Sequence, residues 1–406
     1  MSLRVMKFGG TSVGSVDRIQ AVADRIAAAV RAGDRVVAVC SAMSGETNRL
    51  IALAHEVSAR PLPREYDVLV ATGEQASIAL VAMALNDRGV AGRSFTGLQA
   101  AIRTDRAHTK ARIVDIDPQP LRAALERGEV PVVAGFQGID AEANTTTLGR
   151  GGSDLTAVAI AHALNADVCE IYTDVDGVYT CDPNVVPSAR KIERISYEEM
   201  LELASLGAKV LQTRSVELAM KVDVPLHVRS SFDTSEGTWV TREVPEMEDI
   251  LVSGIAYNNR EAKISLIDVP DQPGIASSIF STLADQNINV DMIIQNISID
   301  GTTDMTFTVA ETDLDAALDA LRSIQSDVGW EHIETDREVA KLSVVGVGMR
   351  SHAGVAAKMF QTLAAVGINI QMISTSEIKI SVVIERKYVE LAARELHSAF
   401  GLDASA

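Results

Sequence analysis

From residue 1 to about residue 240, short runs of almost wholly apolar residues alternate with longer stretches whose apolar positions recur at helical spacing. The short runs predict strands at Arg4–Phe8, Val36–Cys40, Arg93–Phe95, Pro131–Ala134, Val168–Tyr172 and Leu226–Val228. The longer stretches predict helices over Val16–Ala32, Thr47–Val57, Tyr66–Arg88, Gln119–Glu126, Leu155–Leu164, Tyr197–Leu203 and Val210–Val222. Gly33-Asp34, Arg127-Gly128 and Asn165-Ala166-Asp167 read as helix stops. Strands that are apolar on both faces need helices on both faces. The first 240 residues therefore predict an α/β fold, a three-layer αβα sandwich around a mostly parallel sheet.

The pattern breaks at Thr241-Arg242-Glu243-Val244-Pro245-Glu246-Met247-Glu248-Asp249, a charged, aperiodic stretch that reads as a linker over 241–249. Beyond it the chain repeats itself. Lys263-Ile264-Ser265-Leu266-Ile267-Asp268-Val269 matches Lys341-Leu342-Ser343-Val344-Val345-Gly346-Val347 at an offset of 78 residues. Gly274, Leu283, Ile288-Asn289-Val290 and Met292-Ile293 match Gly354, Leu363, Ile368-Asn369-Ile370 and Met372-Ile373 at an offset of 80. Each copy reads strand, glycine-bearing loop, helix, strand, strand, helix, which is the ferredoxin-like order. Two such domains, over 250–335 and 336–406, are expected to pack side by side, sheet to sheet.

Composition narrows the classes. At 406 residues the chain has room for two or three domains, and 47% hydrophobic residues supply their cores. A formal charge of −18 argues against a nucleic-acid backbone as partner, though a few local cations suffice for one nucleotide. Cys40, Cys169 and Cys181 form no paired spacing, which fits a reduced, cytoplasmic protein; Cys40 and Cys169 read as core residues of strands. Arg4 and Lys7 interrupt the N-terminus, so no signal peptide is expected, and neither is a membrane span.

The candidate chemistry gathers at strand ends. Lys7-Phe8-Gly9-Gly10-Thr11-Ser12 runs from the first strand into a glycine pair ahead of a helix. Gly149-Arg150-Gly151-Gly152-Ser153-Asp154 opens another helix. Glycine lets backbone N–H groups approach an anion, the helix start adds positive potential, and a strand-end lysine meets phosphate as a point charge. Lys7 alone reads equally as a solvated strand-end residue, and Asp154 as a first-turn acid. Ser41-Ala42-Met43-Ser44-Gly45-Glu46-Thr47-Asn48 offers hydroxyls suited to a small carboxylate, with Thr47 also an N-cap candidate. Gly73 in Thr72-Gly73-Glu74 costs a helix interior about 1 kcal/mol, which points to a close approach. Glu74 suits an ammonium group or is a solvated helix residue. Phe136-Gln137-Gly138 is a pocket wall or a turn. Asp174, Asp176 and Asp182, with Tyr179 and Pro183, suggest a nucleotide-binding loop after a buried strand. Lys209 sits at a predicted helix start, where it opposes the dipole, and reads as a second phosphate cation. Walker, protein-kinase and Rossmann signatures are absent, and the seven histidines show no metal spacing. Positioned cations and N–H groups suffice for in-line phosphoryl transfer to a carboxylate, which is ionised already and needs no strong base.

These motifs, with Gly207-Ala208-Lys209 and the Tyr172–Pro183 segment, resemble the amino acid kinase family, and within it the aspartate kinases. The tail resembles paired ACT domains, through Asp271-Gln272-Pro273-Gly274 and Ser374-Thr375-Ser376-Glu377-Ile378. The resemblance spans essentially the whole chain in the family's order. It implies transfer of the ATP γ-phosphoryl group to the side-chain carboxylate of L-aspartate, giving 4-phospho-L-aspartate, at the head of lysine, threonine, methionine and diaminopimelate synthesis. It implies that Lys7, Asp154 and Lys209 are catalytic. Lys7, Phe8, Gly9, Gly10, Gly151, Gly152, Ser153, Thr173, Asp174, Tyr179, Asp182, Pro183 and Lys209 are to hold ATP, which carries its own Mg²⁺. Ser41, Thr47, Glu74, Arg150 and Asp154 are to hold aspartate. Lysine or threonine is to inhibit through Asp271, Gly274, Ala276, Asn289, Asp291 and Gln295 in the first repeat, and Val355, Asn369, Ile370, Ser376 and Glu377 in the second. A homo-oligomer, dimer or tetramer, is expected, with Met247 a possible start for a shorter regulatory subunit. Asn184 and Ala353 depart from the residues frequent in the family. The competing readings are a kinase acting on glutamate or its acetylated form, which paired ACT domains argue against, and a non-catalytic amino-acid sensor, which Lys7, Asp154 and Lys209 argue against.

Overall fold

In the computed structural model, the described residues are 2–206, 210–242, 251–297, 301–352 and 354–403. They form two compact units. The first comprises residues 1–178 and 191–247, the second 179–190 and 248–406. The first unit holds the sandwich and the second holds the repeat together with the excursion over 179–190.

The first unit contains, in chain order, β1 (Leu3–Phe8), α1 (Val16–Arg31), β2 (Arg35–Cys40), α2 (Glu46–Val57), α3 (Pro63–Val70), α4 (Thr72–Asn86), β3 (Gly92–Phe95), β4 (Ile102–Thr104), β5 (Ile113–Ile116), α5 (Gln119–Glu126), β6 (Val130–Ala134), β7 (Gln137–Ile139), β8 (Thr145–Thr147), α6 (Gly152–Leu164) and β9 (Val168–Thr173). The short strands β10 (Val178–Tyr179) and β11 (Lys191–Ile192) flank the excursion. Then come β12 (Arg194–Ser196), α7 (Tyr197–Ser205), α8 (Thr213–Val222), β13 (Leu226–Ser230) and β14 (Thr238–Thr241). The main sheet has the order β12-β14-β13-β9-β1-β2-β6-β3 and is parallel except where β14 runs against β13.

Phe8, Ala38, Cys40 and Val132 face α1 and α4 in one apolar cluster, while the alternate residues Val5, Val37, Val39 and Ile171 are buried on the α6 side. Both faces are dry, which is why the strands carry no polar alternation. The three cysteines are free and buried. A second, four-stranded sheet of order β5-β4-β7-β8 was not anticipated. Its strands hold three or four residues each, too short to show a period.

Three local expectations need correction. The helix expected over Tyr66–Arg88 is two helices, beginning at Pro63 and meeting at Ala71, with Thr72 Oγ1 donating to Leu69 O at 2.6 Å. Together Pro63–Asn86 is long and apolar enough to cross a membrane, contrary to expectation, yet 56% of its most apolar window is buried in protein. It is a core helix pair. The helix expected from Val210 starts at Thr213, and Lys209 lies outside the described residues. So do most of the predicted linker and Met247.

The second unit is built from β15 (Gly254–Pro270), α9 (Ile275–Asp285), β16 (Val290–Ile297), β17 (Thr302–Ala310), α10 (Leu314–Val328), β18 (His332–Val345), α11 (Val355–Ala365), β19 (Met372–Thr375), β20 (Lys379–Glu385) and α12 (Val389–Ala399). The two repeats share one antiparallel sheet, β16-β17-β15-β18-β20-β19. The long strands β15 and β18 each serve both repeats. Gly254–Asn258 pairs with Lys341–Val345, and Lys263–Ile267 pairs with His332–Asp336. The strand that completes the second repeat thus comes from upstream of the first. Each repeat keeps its own core, around Phe307 and Leu321 in the first and Leu342 and Leu396 in the second. Cys181 and Val186 of the 179–190 excursion lie in the second core.

Candidate active site

A pocket of about 660 Å³ opens at the carboxyl ends of the parallel strands in the first unit, the position where open α/β sheets bind ligands. Lys7, Gly9, Gly10, Ser41, Thr47, Glu74, Arg150, Gly151, Gly152, Ser153, Asp154 and Thr173 all line it. Residues as far apart in sequence as Lys7 and Gln212 are therefore brought to one cavity.

Lys7 is the penultimate residue of β1 and only 8% exposed. Its Nζ lies 2.5 Å from Asp154 Oδ1, in the first turn of α6. This pair closes the floor of the pocket. A buried ion pair stands only with good geometry, because each ion loses its hydration.

The four expected glycines divide by what their N–H groups already bond. The Gly9 N–H is already committed to Tyr172 O at 3.2 Å, and the Gly152 N–H to Gly149 O at 3.0 Å. Among the described residues, the N–H groups of Gly10, Gly151, Ser153 and Asp154 are left without a protein acceptor, and the last two lie at the positive end of α6. Gly151 caps that helix at φ 74°, and a Cβ there would stand 2.2 Å from Gln212 Cγ. Gly73 is the close approach its composition suggested, since a Cβ would meet Ala42 Cβ at 2.9 Å.

Glu74 is 3% exposed. Its Oε1 accepts from Ala42 N at 3.1 Å, and its Oε2 has no partner. Burial pushes its pKa up to about 7, against the opposing pull of backbone N–H donors. A buried carboxylate with an unused oxygen facing a polar pocket is arranged for a cationic group. Thr47 is not an N-cap: Gly45, at φ 82°, occupies that position and leaves Thr47 to the pocket.

The other expected residues fall elsewhere. Phe8 is fully buried and stacks on Tyr172 at 5.0 Å between ring centres, so it supports the site from behind. Asp174 is exposed and its Oδ1 accepts from Thr173 Oγ1. Tyr179, Asp182 and Pro183 do not line the pocket; they belong to the excursion packed with the second unit. Asp182 Oδ1 is satisfied locally by Asn184 N and Nδ2 at 2.9 and 3.0 Å. Among the described residues, no cluster of three or more metal-ligating side chains occurs. Sequence reasoning missed Tyr66, Thr109, Thr147 and Gln212 as pocket residues. They sit in no recognisable motif, and only the tertiary fold turns them toward the cavity.

The effector candidates occupy matching places in the two repeats. Gly274 and Gly354 cap α9 and α11 at φ 100° and 101°, so both loops turn into their helices in one way. Asp271, Asn289, Asn369 and Ser376 are exposed, as are Gln295 and Glu377. Ala276 and Ile370 are half-buried, Val355 is a core residue, and Asp291 is paired with the buried Lys341. His352, where the first repeat has Gln272, donates from Nδ1 to Gly348 O. Ala353 lies outside the described residues.

Comparison with known proteins agrees with this architecture. The amino acid kinase family model matches residues 2–230, and two ACT domain models match 264–325 and 342–400. An aspartate kinase of Pseudomonas fluorescens is 59% identical over 100% of this chain and 99% of its own. The chain belongs to the aspartate kinases of the amino acid kinase family. Similar relatives include an aspartokinase of Pseudomonas aeruginosa, 58% identical over 100% of this chain and 99% of that one, and one of Corynebacterium glutamicum, 49% identical over 99% and 97%. Among solved structures, Escherichia coli aspartokinase III in complex with aspartate and ADP superposes with a TM-score of 0.80 at 27% identity, covering 98% and 99% of the two chains. The same protein with lysine and aspartate gives 0.78 at 28%, covering 98% and 99%. This kinase is thus a phosphotransferase with an allosteric ACT pair.

Proposed function

We propose that this kinase transfers the γ-phosphoryl group of ATP to the side-chain carboxylate of L-aspartate, giving 4-phospho-L-aspartate and ADP for lysine, threonine, methionine and diaminopimelate synthesis in the cytoplasm. The observation that carries this reading is the Lys7–Asp154 pair beside the free N–H groups of α6, with Glu74 in the same pocket. Lys7 and the N–H groups of Gly10, Ser153 and Asp154 hold the phosphates, with Lys209 a second cation. Thr173 and Asp174 border the nucleotide, and the resemblance adds Tyr179, Asp182 and Pro183. Glu74 receives the aspartate ammonium, and Ser41, Thr47 and Arg150 its carboxylates. A carboxylate oxygen of aspartate attacks the γ-phosphorus, the bond to the bridging oxygen breaks, and ADP leaves with that electron pair. Mg²⁺ carried by ATP supplies charge neutralisation at the phosphates, and the pocket's few acidic groups fit a metal that arrives with the nucleotide.

The test is ATP- and aspartate-dependent acyl phosphate, trapped with hydroxylamine, with lysine and threonine added singly and together. Product with aspartate but not with glutamate or acetylglutamate supports the reading; no product leaves a sensor. Gly151→Ala forces a side chain into left-handed backbone against Gln212. It is expected to lower kcat/KM for ATP more than ~10-fold, the loss of one positioned-donor arrangement, in steady-state assays.

The ACT pair is proposed to bind lysine, threonine or both, shifting the kinase between states of different affinity, and to assemble as a homo-oligomer. Gln295→Ala is expected to raise the inhibitor concentration for half-inhibition about 10-fold or more, a typical coupling-scale change, at unchanged kcat. Unaltered inhibition removes Gln295 from the effector site.

A further inference from the structure

The kinase unit contains a buried carboxylate that touches the pocket only through its neighbours. Asp67, on α3, is 0% exposed. Its Oδ1 accepts from Thr147 Oγ1 at 2.6 Å, both of its oxygens lie within 3.1 Å of the Thr109 N–H, and its Oδ2 is 2.8 Å from His108 Nδ1. Thr109 and Thr147 line the pocket, and so does Tyr66, the residue before Asp67.

Thr109 has φ 69°. Left-handed backbone is costly for a β-branched residue and persists only where its surroundings hold it. Here the holding group is identifiable, since Asp67 takes the N–H of Thr109 itself. The turn so fixed lies against the glycine-rich loop. Thr109 O stands 3.2 Å from the place of a Cβ on Gly149, and Ala111 N donates to Thr147 O at 2.8 Å. Asp67 thereby ties three segments together: α3, the loop over 105–111, and β8 as it leads into Gly149–Gly152.

We propose that Asp67 is a positioning residue for the amino-acid acceptor: its carboxylate clamps Thr109 in strained backbone and Thr147 in register, and so sets the wall of the pocket beside Arg150. This rests on the pocket being the aspartate site, as proposed above. The clamp's own hydrogen bonds go to His108, Thr109 and Thr147, and none goes to Lys7 or Gly10.

The experiment is steady-state kinetics and calorimetric aspartate binding for the full-length kinase and its Asp67→Asn variant. An amide removes the negative charge and one acceptor, so Thr147 Oγ1 or His108 Nδ1 must reverse its role to keep its contact and the hold on the Thr109 N–H weakens. The expected result is a 10-fold or greater rise in the KM and dissociation constant for aspartate, at least 5-fold larger than any rise in the KM for ATP. Thr109→Gly removes the backbone strain, because glycine takes φ 69° freely. Adding it to Asp67→Asn is expected to recover at least half of the lost affinity on a logarithmic scale. A rise in both KM values together, an unchanged aspartate KM, or no recovery in the double variant overturns the proposal. If Asp67→Asn does not fold, Thr147→Val removes one donor while keeping shape, and the same split between the two KM values decides. Wild-type protein without aspartate turnover refutes the functional reading instead, so the two failures are distinguishable.

Discussion

Lys7→Met is expected to lower kcat by a factor on the order of 10³, the scale of removing one group aimed at transition-state charge. Lys7 is the only lysine among the described residues that line the pocket. Its removal also strands Asp154, 6% exposed, as an uncompensated charge, which costs about 3–5 kcal/mol of stability. The two effects separate in the double variant Lys7→Met/Asp154→Asn. Two neutral groups of the same shape restore stability, measured by urea unfolding, but not turnover. A double variant that regains activity assigns Lys7 a structural role, and a stable single variant with full turnover removes it from catalysis.

Glu74→Gln is expected to raise the aspartate KM about 10- to 100-fold, the loss of a desolvated charge-assisted contact, and to change the pH profile. In the free enzyme the Glu74 pKa is pushed up to about 7 by burial. The ionised form is the one that accepts an ammonium group, so kcat/KM for aspartate rises with pH through about 7 and then levels. The glutamine variant lacks that limb. Stability runs the other way. The folded protein keeps the Glu74 proton between the ordinary 4.5 and about 7, where the unfolded chain has lost it. That contribution is complete below 4.5 and is lost as pH rises through 7. It amounts to something on the order of 3 kcal/mol. Glu74→Gln therefore melts higher than the wild type above pH 7, and the difference disappears toward pH 4.5. Identical melting at both extremes indicates that Glu74 is hydrated.

Some elements were legible because one physical signal dominated them. The strands β1, β2, β6 and β9 are apolar on both faces, and α5 came out at its observed bounds, Gln119–Glu126, between a proline and a glycine. The repeat was legible from its offsets. Glycines at φ above 70° were readable as turns, but which of their N–H groups stay free was not. Gly9 and Gly152 spend theirs on Tyr172 and Gly149, partners fixed only by the strand order and the turn geometry. The membrane-like length and apolarity of Pro63–Asn86 show that hydropathy does not say what covers an apolar helix, since 56% of its most apolar window is buried in protein.

The amino-acid sequence by itself determined the αβα sandwich, the order of its motifs, the doubled tail and the candidate residues Lys7, Glu74 and Asp154. These follow from periodicity and residue type, which are local properties of the chain. Only the tertiary structure decided that Lys7 and Asp154 are 2.5 Å apart, that Asp67 holds Thr109 and Thr147 from behind the pocket, and that β15 and β18 each complete both repeats. Such pairings join residues far apart in sequence. Their energies depend on burial and register, which exist only once the sheets and helices have packed.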